Sequence, residues 1–125
     1  MSVFKGRTSV IELTPNDFDN NGRIKHKALN GGKQGMFCGT CSWCGHCVRL
    51  AEPYSKAARM LGTSFPMFNL DCNKYSEFIS KLGIKGYPTI RYINRDGKLG
   101  KDYSADRTVE AILDDICSKA KQCAR

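Results

Sequence analysis

Two cysteines three positions apart, Cys44 and Cys47, are the residues of this sequence best placed to do chemistry. They stand where a short turn is expected to enter a helix. The unpaired backbone N–H groups and the partial positive charge at such a helix end favour a thiolate over a thiol at Cys44. Residues i and i+3 share one side of the first turn, so the two sulfurs should lie within reach of a disulfide. The spacing predicts a redox dithiol in which Cys44 attacks and Cys47 resolves.

His46 lies between these cysteines and could give the thiolate a positive charge or a hydrogen bond. Either would stabilise the reduced form and make the disulfide a stronger oxidant. A bare C-x-x-C is also typical of half a zinc site, so its surroundings must decide between the two interpretations.

A second interpretation uses four evenly spaced cysteines, Cys38, Cys41, Cys44 and Cys47. Four thiolates suit zinc or an iron–sulfur cluster. An extended chain directs residues three apart to opposite faces, however, so Cys38 and Cys41 should diverge. Metal binding is kept as the alternative, and the redox interpretation predicts no metal and no cofactor.

Three further cysteines, Cys72, Cys117 and Cys123, bring the total to seven. An odd number without a recognisable secretory signal argues against a fully paired disulfide framework. We expect Cys72 to be a small residue at a strand end, Cys117 to lie in the core and Cys123 to be exposed.

The elements that must position the dithiol follow from hydrophobic periodicity and turn residues. Strands are predicted over 9–13, 36–40 and 65–70, followed by a hairpin of 89–93 and 99–103. Helices are predicted over 15–18, 45–61, 74–82 and 108–121, the last capped by Asp106. Strands that alternate with helices and end in a hairpin predict an α/β protein with a mixed sheet of about four to five strands and helices on both faces.

The WCGHC segment at 43–47 resembles the active site of the thioredoxin superfamily, specifically of the protein disulfide isomerase type. The GYPT segment at 86–89 resembles the loop that carries the family's cis-proline opposite the dithiol. The resemblance extends over about 9–120, and it implies a thioredoxin fold and thiol–disulfide exchange with protein or peptide substrates. A non-catalytic peptide-binding module of the same fold is the further alternative.

The resemblance also assigns roles to individual residues. Cys44 and Cys47 would be catalytic, Pro88 would be cis, and Tyr87 would offer its backbone to a bound peptide. The residues that would support the active site are Trp43, Gly45, His46 and Arg107.

One departure from the family lies at Cys38, six residues before the first active-site cysteine. The family usually carries a buried acid there, which is thought to help deprotonate the second cysteine. Burial raises the pKa of a thiol, so Cys38 would be a poor substitute base.

The chain has 125 residues, with 20 Lys and Arg against 12 Asp and Glu, a net charge of +8. We expect an N-terminal tail over 1–8, one domain over 9–120 with a mobile basic loop at 20–35, and a C-terminal tail over 121–125. The basic residues are dispersed, so nucleic-acid binding is not predicted. No membrane span or signal is recognised, so we expect a cytoplasmic monomer that is recycled by glutathione or a reductase.

Overall fold

Five strands and three α-helices form the fold in the computed structural model, which describes residues 1–124. The strands are β1 (Ile11–Glu12), β2 (Gly35–Thr40), β3 (Met67–Asp71), β4 (Thr89–Ile93) and β5 (Leu99–Asp102). The α-helices are α1 (Gly45–Leu61), α2 (Cys72–Lys81) and α3 (Val109–Ala120). Single turns of 3-10 helix cover Pro15–Asp17, Lys27–Leu29 and Gly62–Ser64.

The strands make one mixed sheet in the order β1-β3-β2-β4-β5. Strand β2 lies at its centre, parallel to β3 and antiparallel to β4. Its register places Cys38 opposite Asn69 and Thr40 opposite Asp71. The predicted α/β class and mixed sheet are confirmed, and the central strand leads directly to the cysteine segment.

Each face of the sheet carries its own apolar core, because side chains alternate between faces along every strand. On one face, Met36 and Cys38 pack with residues of α1 and α3. On the other face, Phe37 packs with Ile79 of α2. Helices therefore cover both faces, as predicted, and α1 begins next to the end of β2.

Several predicted boundaries differ from the structure. β1 is only two residues long, because Ile11 and Glu12 alone pair with β3 and the N–H of Val10 turns back to the carbonyl of Arg7. Helix α2 begins at Cys72, two residues before the predicted start.

The cap predicted for the last helix is also wrong. The hydroxyl of Thr108, rather than Asp106, accepts the N–H of Ala111 and caps α3. A Thr directly before the first helical residue is a better cap than an Asp two residues further away, since only the former reaches the free N–H groups.

The segment predicted as an N-terminal tail belongs to the packed domain. Phe4 is buried, and its ring contacts that of Tyr54 at 5.4 Å between centroids. The basic segment 20–35 likewise buries Ile24 and Leu29 and contains one 3-10 turn, so it is anchored at two points. Of the predicted C-terminal tail, Arg125 lies outside the described residues.

Within residues 1–124, none of the helices combines the length and the apolar character that crossing a bilayer requires.

Candidate active site

Cys44 stands at the N-terminus of α1, where the chain leaves the central strand and turns into the helix. It is the N-cap residue, with an extended backbone, and Gly45 is the first helical residue. Its sulfur is half-buried, while Cys47, one turn further, is fully buried. The structure thus brings the two predicted catalytic residues together and exposes only the first to solvent.

The surroundings of Cys44 lower its pKa below the usual value. Partial burial opposes this shift, but the backbone N–H groups of Cys47 and His46, the thiol of Cys47 and the charge of Arg107 outweigh it. These donors are the free N–H groups of the first helical turn, which hold a negative sulfur without any added base. Cys44 is therefore the more acidic thiol of the pair.

The pKa of Cys47 moves in the opposite direction, to about 12. Burial is the largest cause, and the neighbouring Cys44 adds to it, although the backbone N–H of Cys41 and the charge of Arg107 act against the shift. Cys47 therefore stays protonated at neutral pH, whereas its neighbour ionises more readily. This asymmetry is what an attacking and a resolving thiol require.

Across from the dithiol lies the loop that precedes β4. The peptide bond between Tyr87 and Pro88 is cis. The thiol of Cys44 donates to the carbonyl oxygen of Tyr87 at 3.5 Å, which places the loop directly over the reactive sulfur. Both loop residues are half-buried, and a peptide laid along them would reach Cys44.

Trp43 stands beside this loop with 73% of its surface exposed. Its ring meets that of Tyr87 edge to face, with 6.2 Å between the centroids. The resemblance implied a residue that supports the site, and the structure places an exposed Trp43 against a half-buried Tyr87 at its rim. Such a pair offers an apolar contact to a bound polypeptide.

The other predicted supporting residues surround the first turn of α1. The side chain of His46 is exposed, and its Nδ1 lies 3.1 Å from the guanidinium of Arg49 rather than over a sulfur. Arg107 is exposed and acts on the pKa of both cysteines through its charge. Gly45 is exposed and forms the start of the helix.

Cys38 occupies the position of the family's buried acid and is completely inaccessible. Its thiol donates to Oδ1 of Asn69 at 3.3 Å, and Thr40 donates to the same oxygen at 2.7 Å. The amide nitrogen of Asn69 in turn donates to Glu12 at 2.8 Å. Burial raises the pKa of Cys38 well above its usual value, so this thiol holds its proton and supplies no base beneath the dithiol.

Cys41 is joined to Cys72 in a disulfide, with 5.1 Å between their Cα atoms. This pairing corrects the expectation that Cys72 is only a small residue at a strand end, and it removes Cys41 from the proposed four-cysteine metal site. Cys38 and Cys41 also lie in the cores of opposite faces. The pairing of Cys41 and this divergence both disfavour the four-cysteine site. No group of His, Cys, Asp and Glu suited to a metal ion occurs among the residues described.

The sequence carries a signal for this disulfide. Cys41 and Cys72 each come directly after one of two adjacent parallel strands, which end in register at Thr40 and Asp71. Neighbouring strands lie about 4.8 Å apart, which falls within the range that a disulfide spans. The signal becomes visible only once the pairing of β2 with β3 is known.

Cys117 and Cys123 form a second disulfide, which ties the end of α3 to the following segment. Cys123 is exposed, as predicted, but Cys117 is half-buried rather than part of the core. The structure joins the two cysteines. Cys38, Cys44 and Cys47 are the free thiols. The seven cysteines therefore comprise two disulfides, the Cys44–Cys47 dithiol and the buried Cys38.

Comparison with known proteins supports the arrangement. A family model described as Thioredoxin matches residues 10–118. The chain is 32% identical over 120 residues to protein disulfide-isomerase A3 of Gallus gallus, covering 96% of this chain and 22% of that protein. It is 28% identical over 123 residues to protein disulfide-isomerase A6 of Homo sapiens, covering 98% of this chain and 27% of that protein.

Solved structures agree on the fold. The J-Trx1 fragment of ERdj5 superposes with a TM-score of 0.78 at 19% identity, over 95% of this chain and 55% of that one. The Trx4 domain of ERdj5 gives 0.70 at 25% identity, over 90% and 96%. The chain spans about a quarter of the length of the curated relatives described above. The family model covers most of the described residues, and on this ground the chain belongs to the thioredoxin family.

Proposed function

We propose that this domain is a thiol–disulfide oxidoreductase that exchanges disulfides with protein substrates through Cys44 and Cys47. The observation that carries the proposal is the opposite displacement of the two pKa values in one helical turn, the first lowered at a half-exposed sulfur and the second raised at a buried one. The relatives named protein disulfide-isomerases support the same activity.

The exchange begins when the Cys44 thiolate attacks one sulfur of a substrate disulfide. The substrate S–S bond breaks, its other sulfur leaves as a thiolate and takes a proton, and a mixed disulfide remains on Cys44. Burial keeps Cys47 out of reach of the substrate, so attack falls to the more accessible and more acidic sulfur.

Resolution follows when Cys47 loses its proton and attacks the sulfur of Cys44. The mixed disulfide breaks, the substrate leaves as a dithiol, and two electrons have moved from the protein to the substrate. The same steps in reverse oxidise a substrate dithiol. A reductant such as glutathione or a reductase dithiol would return Cys44 and Cys47 to the reduced state.

The loop around Tyr87 and Pro88, with Trp43 at its rim, is the surface on which we place the substrate polypeptide. Support comes from its distance to the reactive sulfur, since Cys44 already touches the carbonyl of Tyr87. A polypeptide held there presents its sulfur to Cys44 without any rearrangement of the sheet.

Two parts of the earlier expectation stay predictions, the cytoplasmic location and the monomeric state. The disulfides Cys41–Cys72 and Cys117–Cys123 are pairs that a reducing compartment opposes. Rapid alkylation of the protein in living cells, followed by mass spectrometry, tests the location through Cys117–Cys123: a reduced pair supports the cytoplasm, and an oxidised pair contradicts it.

Turnover distinguishes this function from peptide binding alone. Insulin reduction by dithiothreitol should accelerate when the wild-type protein is added. The double variant Cys44→Ser/Cys47→Ser, which keeps the Tyr87 loop, should give the uncatalysed rate. Equal rates with and without the wild-type protein would favour a binding module and end the proposal.

A further inference from the structure

Four cysteines lie at the end of the sheet where β2 and β3 finish and α1 and α2 begin. Cys41 follows β2 and Cys72 begins α2 directly after β3, while Cys44 and Cys47 lie at the start of α1. The first two are joined as a disulfide, and the other two are free thiols. A disulfide and a dithiol are thus neighbours in one structure. These two groups are the reactants of thiol–disulfide exchange.

Cys41 is in direct contact with both members of the dithiol. Its backbone N–H donates to the sulfur of Cys47 at 3.5 Å, and its carbonyl accepts the N–H of Cys44 at 3.2 Å. The side chain of Cys44 also packs against the apolar cluster that contains Cys41 and Cys72. No other residue separates the backbone of Cys41 from the buried sulfur of Cys47.

The disulfide itself is closed to outside partners. Cys41 has none of its surface exposed and Cys72 has 7%. A thiol of another protein therefore has no approach to the Cys41 sulfur, since attack on a disulfide requires access along the S–S axis. The disulfide can therefore exchange with thiols outside the protein only by way of the Cys44–Cys47 dithiol.

We propose that Cys41 and Cys72 form a second redox pair, which exchanges its disulfide with the Cys44–Cys47 dithiol. The inference rests on the proposed function of that dithiol. We call Cys44 and Cys47, which face substrates, the outer pair, and the buried Cys41 and Cys72 the inner pair. In the structure the inner pair is oxidised and the outer pair is reduced.

The transfer balances within the chain. Starting from an oxidised outer pair, the Cys41 thiolate attacks Cys47, which forms a Cys41–Cys47 bond and releases Cys44 as a thiolate. The Cys72 thiolate then attacks Cys41, which forms Cys41–Cys72 and releases Cys47. The protons lost by Cys41 and Cys72 pass to Cys44 and Cys47, two electrons move, and no outside oxidant takes part. The reverse sequence reoxidises the outer pair.

The experiment follows one disulfide through the chain. A Cys117→Ala/Cys123→Ala background removes the unrelated pair. The folded, fully reduced protein receives one equivalent of oxidised glutathione, and samples are quenched with acid, alkylated and mapped by mass spectrometry. The Cys44–Cys47 disulfide should form first. It should then convert to Cys41–Cys72, and the rate of this second step should not change when the protein is diluted.

Cys47→Ser in the same background is the matched control, with circular dichroism to verify its fold. Its glutathione adduct should stay on Cys44, and formation of Cys41–Cys72 should be lost. Cys47→Ala provides the same measurement if the serine variant does not fold.

Two results would overturn the inference and leave the proposed function standing. One is a persistent Cys44–Cys47 disulfide beside reduced Cys41 and Cys72. The other is Cys41–Cys72 formation that is as fast in the Cys47 variants as in their parent. If neither an adduct on Cys44 nor a Cys44–Cys47 disulfide forms, the proposed function itself fails.

Discussion

The thiol of Cys38 donates a hydrogen bond to Oδ1 of Asn69, across the pairing of the central strand β2 with β3. Two neutral groups thus meet where the family usually places a buried acid. The amide of Asn69 continues to Glu12, so the nearest carboxylate of this hydrogen-bonded chain lies at the edge of the sheet. Deprotonation of Cys47 therefore has no base beneath it at Cys38.

We expect Cys38→Asp to accelerate the resolving step more than it changes the reduction potential. A carboxylate at this position could accept the proton of Cys47, which the high-pKa thiol does not. An unpaired buried carboxyl would cost about 1–3 kcal/mol of stability. Single-turnover resolution rates at several pH values measure the effect.

Cys38→Asn is the matched control for that substitution, since it has the same shape and no titratable group. It should leave the resolving rate near that of the wild type. A folded Asp variant that resolves more slowly than wild type would contradict the missing-base explanation and would point to a redox role for Cys38 itself.

Cys47→Ser should accumulate substrates as stable mixed disulfides on Cys44, whereas Cys44→Ser should accumulate none. Attack requires the acidic, half-exposed sulfur, and release requires the buried one. Non-reducing electrophoresis of proteins captured from a dithiol-rich extract reads out both variants. Equal capture by the two would reverse or abolish the assignment of roles.

His46→Pro should make the protein a better reductant, with a potential lower by about 30 mV for each ~1.4 kcal/mol of lost thiolate stabilisation. After the opposing effect of burial, the pKa of Cys44 is lowered by the N–H and the thiol of Cys47 and then by the N–H of His46. Proline removes the last of these donors, yet it is tolerated in a first helical turn.

The comparison with His46→Ala separates the backbone from the imidazole ring. Alanine keeps the N–H, and the ring of His46 faces Arg49 rather than a sulfur. We therefore expect glutathione titration to give a much smaller change for alanine than for proline. Equal shifts would mean that the ring, and not the N–H, stabilises the thiolate.

Arg107→Met should raise the pKa of both active-site cysteines, because the charge of Arg107 lowers each of them. Fewer Cys44 thiolates would then exist at neutral pH, so alkylation by iodoacetamide should slow there and recover at higher pH. Arg107→Lys keeps the charge and is the control. The pH profile of the alkylation rate measures the shift, and an unchanged midpoint would exclude an electrostatic role.

The two disulfides should differ in their contribution to stability. Cys41–Cys72 closes a loop with a sequence separation of 31, and Cys117–Cys123 closes one of 6. The chain-entropy relation gives about 4 kcal/mol for the first and about 2 kcal/mol for the second. Denaturant unfolding of the two double-alanine variants tests the order, and a larger loss for Cys117→Ala/Cys123→Ala would contradict it.

Local patterns were enough to predict most of the scaffold. Helix α1 begins and ends where periodicity placed it, and β4 and β5 turn around the predicted Asp-Gly. The divergence of Cys38 and Cys41 also followed from strand alternation. These features depend on residues close together in the sequence, for which spacing alone is informative.

Features that depend on tertiary contacts were missed. The Cys41–Cys72 bond requires the register of β2 against β3, and the burial of Phe4 requires the position of Tyr54. The Thr108 cap was a local error, since two polar residues competed for the helix start. That Cys44 is stabilised by the backbone N–H of His46 and not by its ring was also missed. Like the disulfide, this contact depends on three-dimensional packing, because a sequence does not show where a side chain points.

Trp43 is the only tryptophan of the chain, and it is exposed one residue before Cys44. Its fluorescence therefore comes from a single known position beside the reactive sulfur. A nearby disulfide quenches indole emission, so oxidation and reduction of the outer pair can be followed in real time without a dye. Contact of a peptide with the Trp43–Tyr87 pair should also change the Trp43 fluorescence. Both disulfide exchange and peptide binding can therefore be measured on the unlabelled protein.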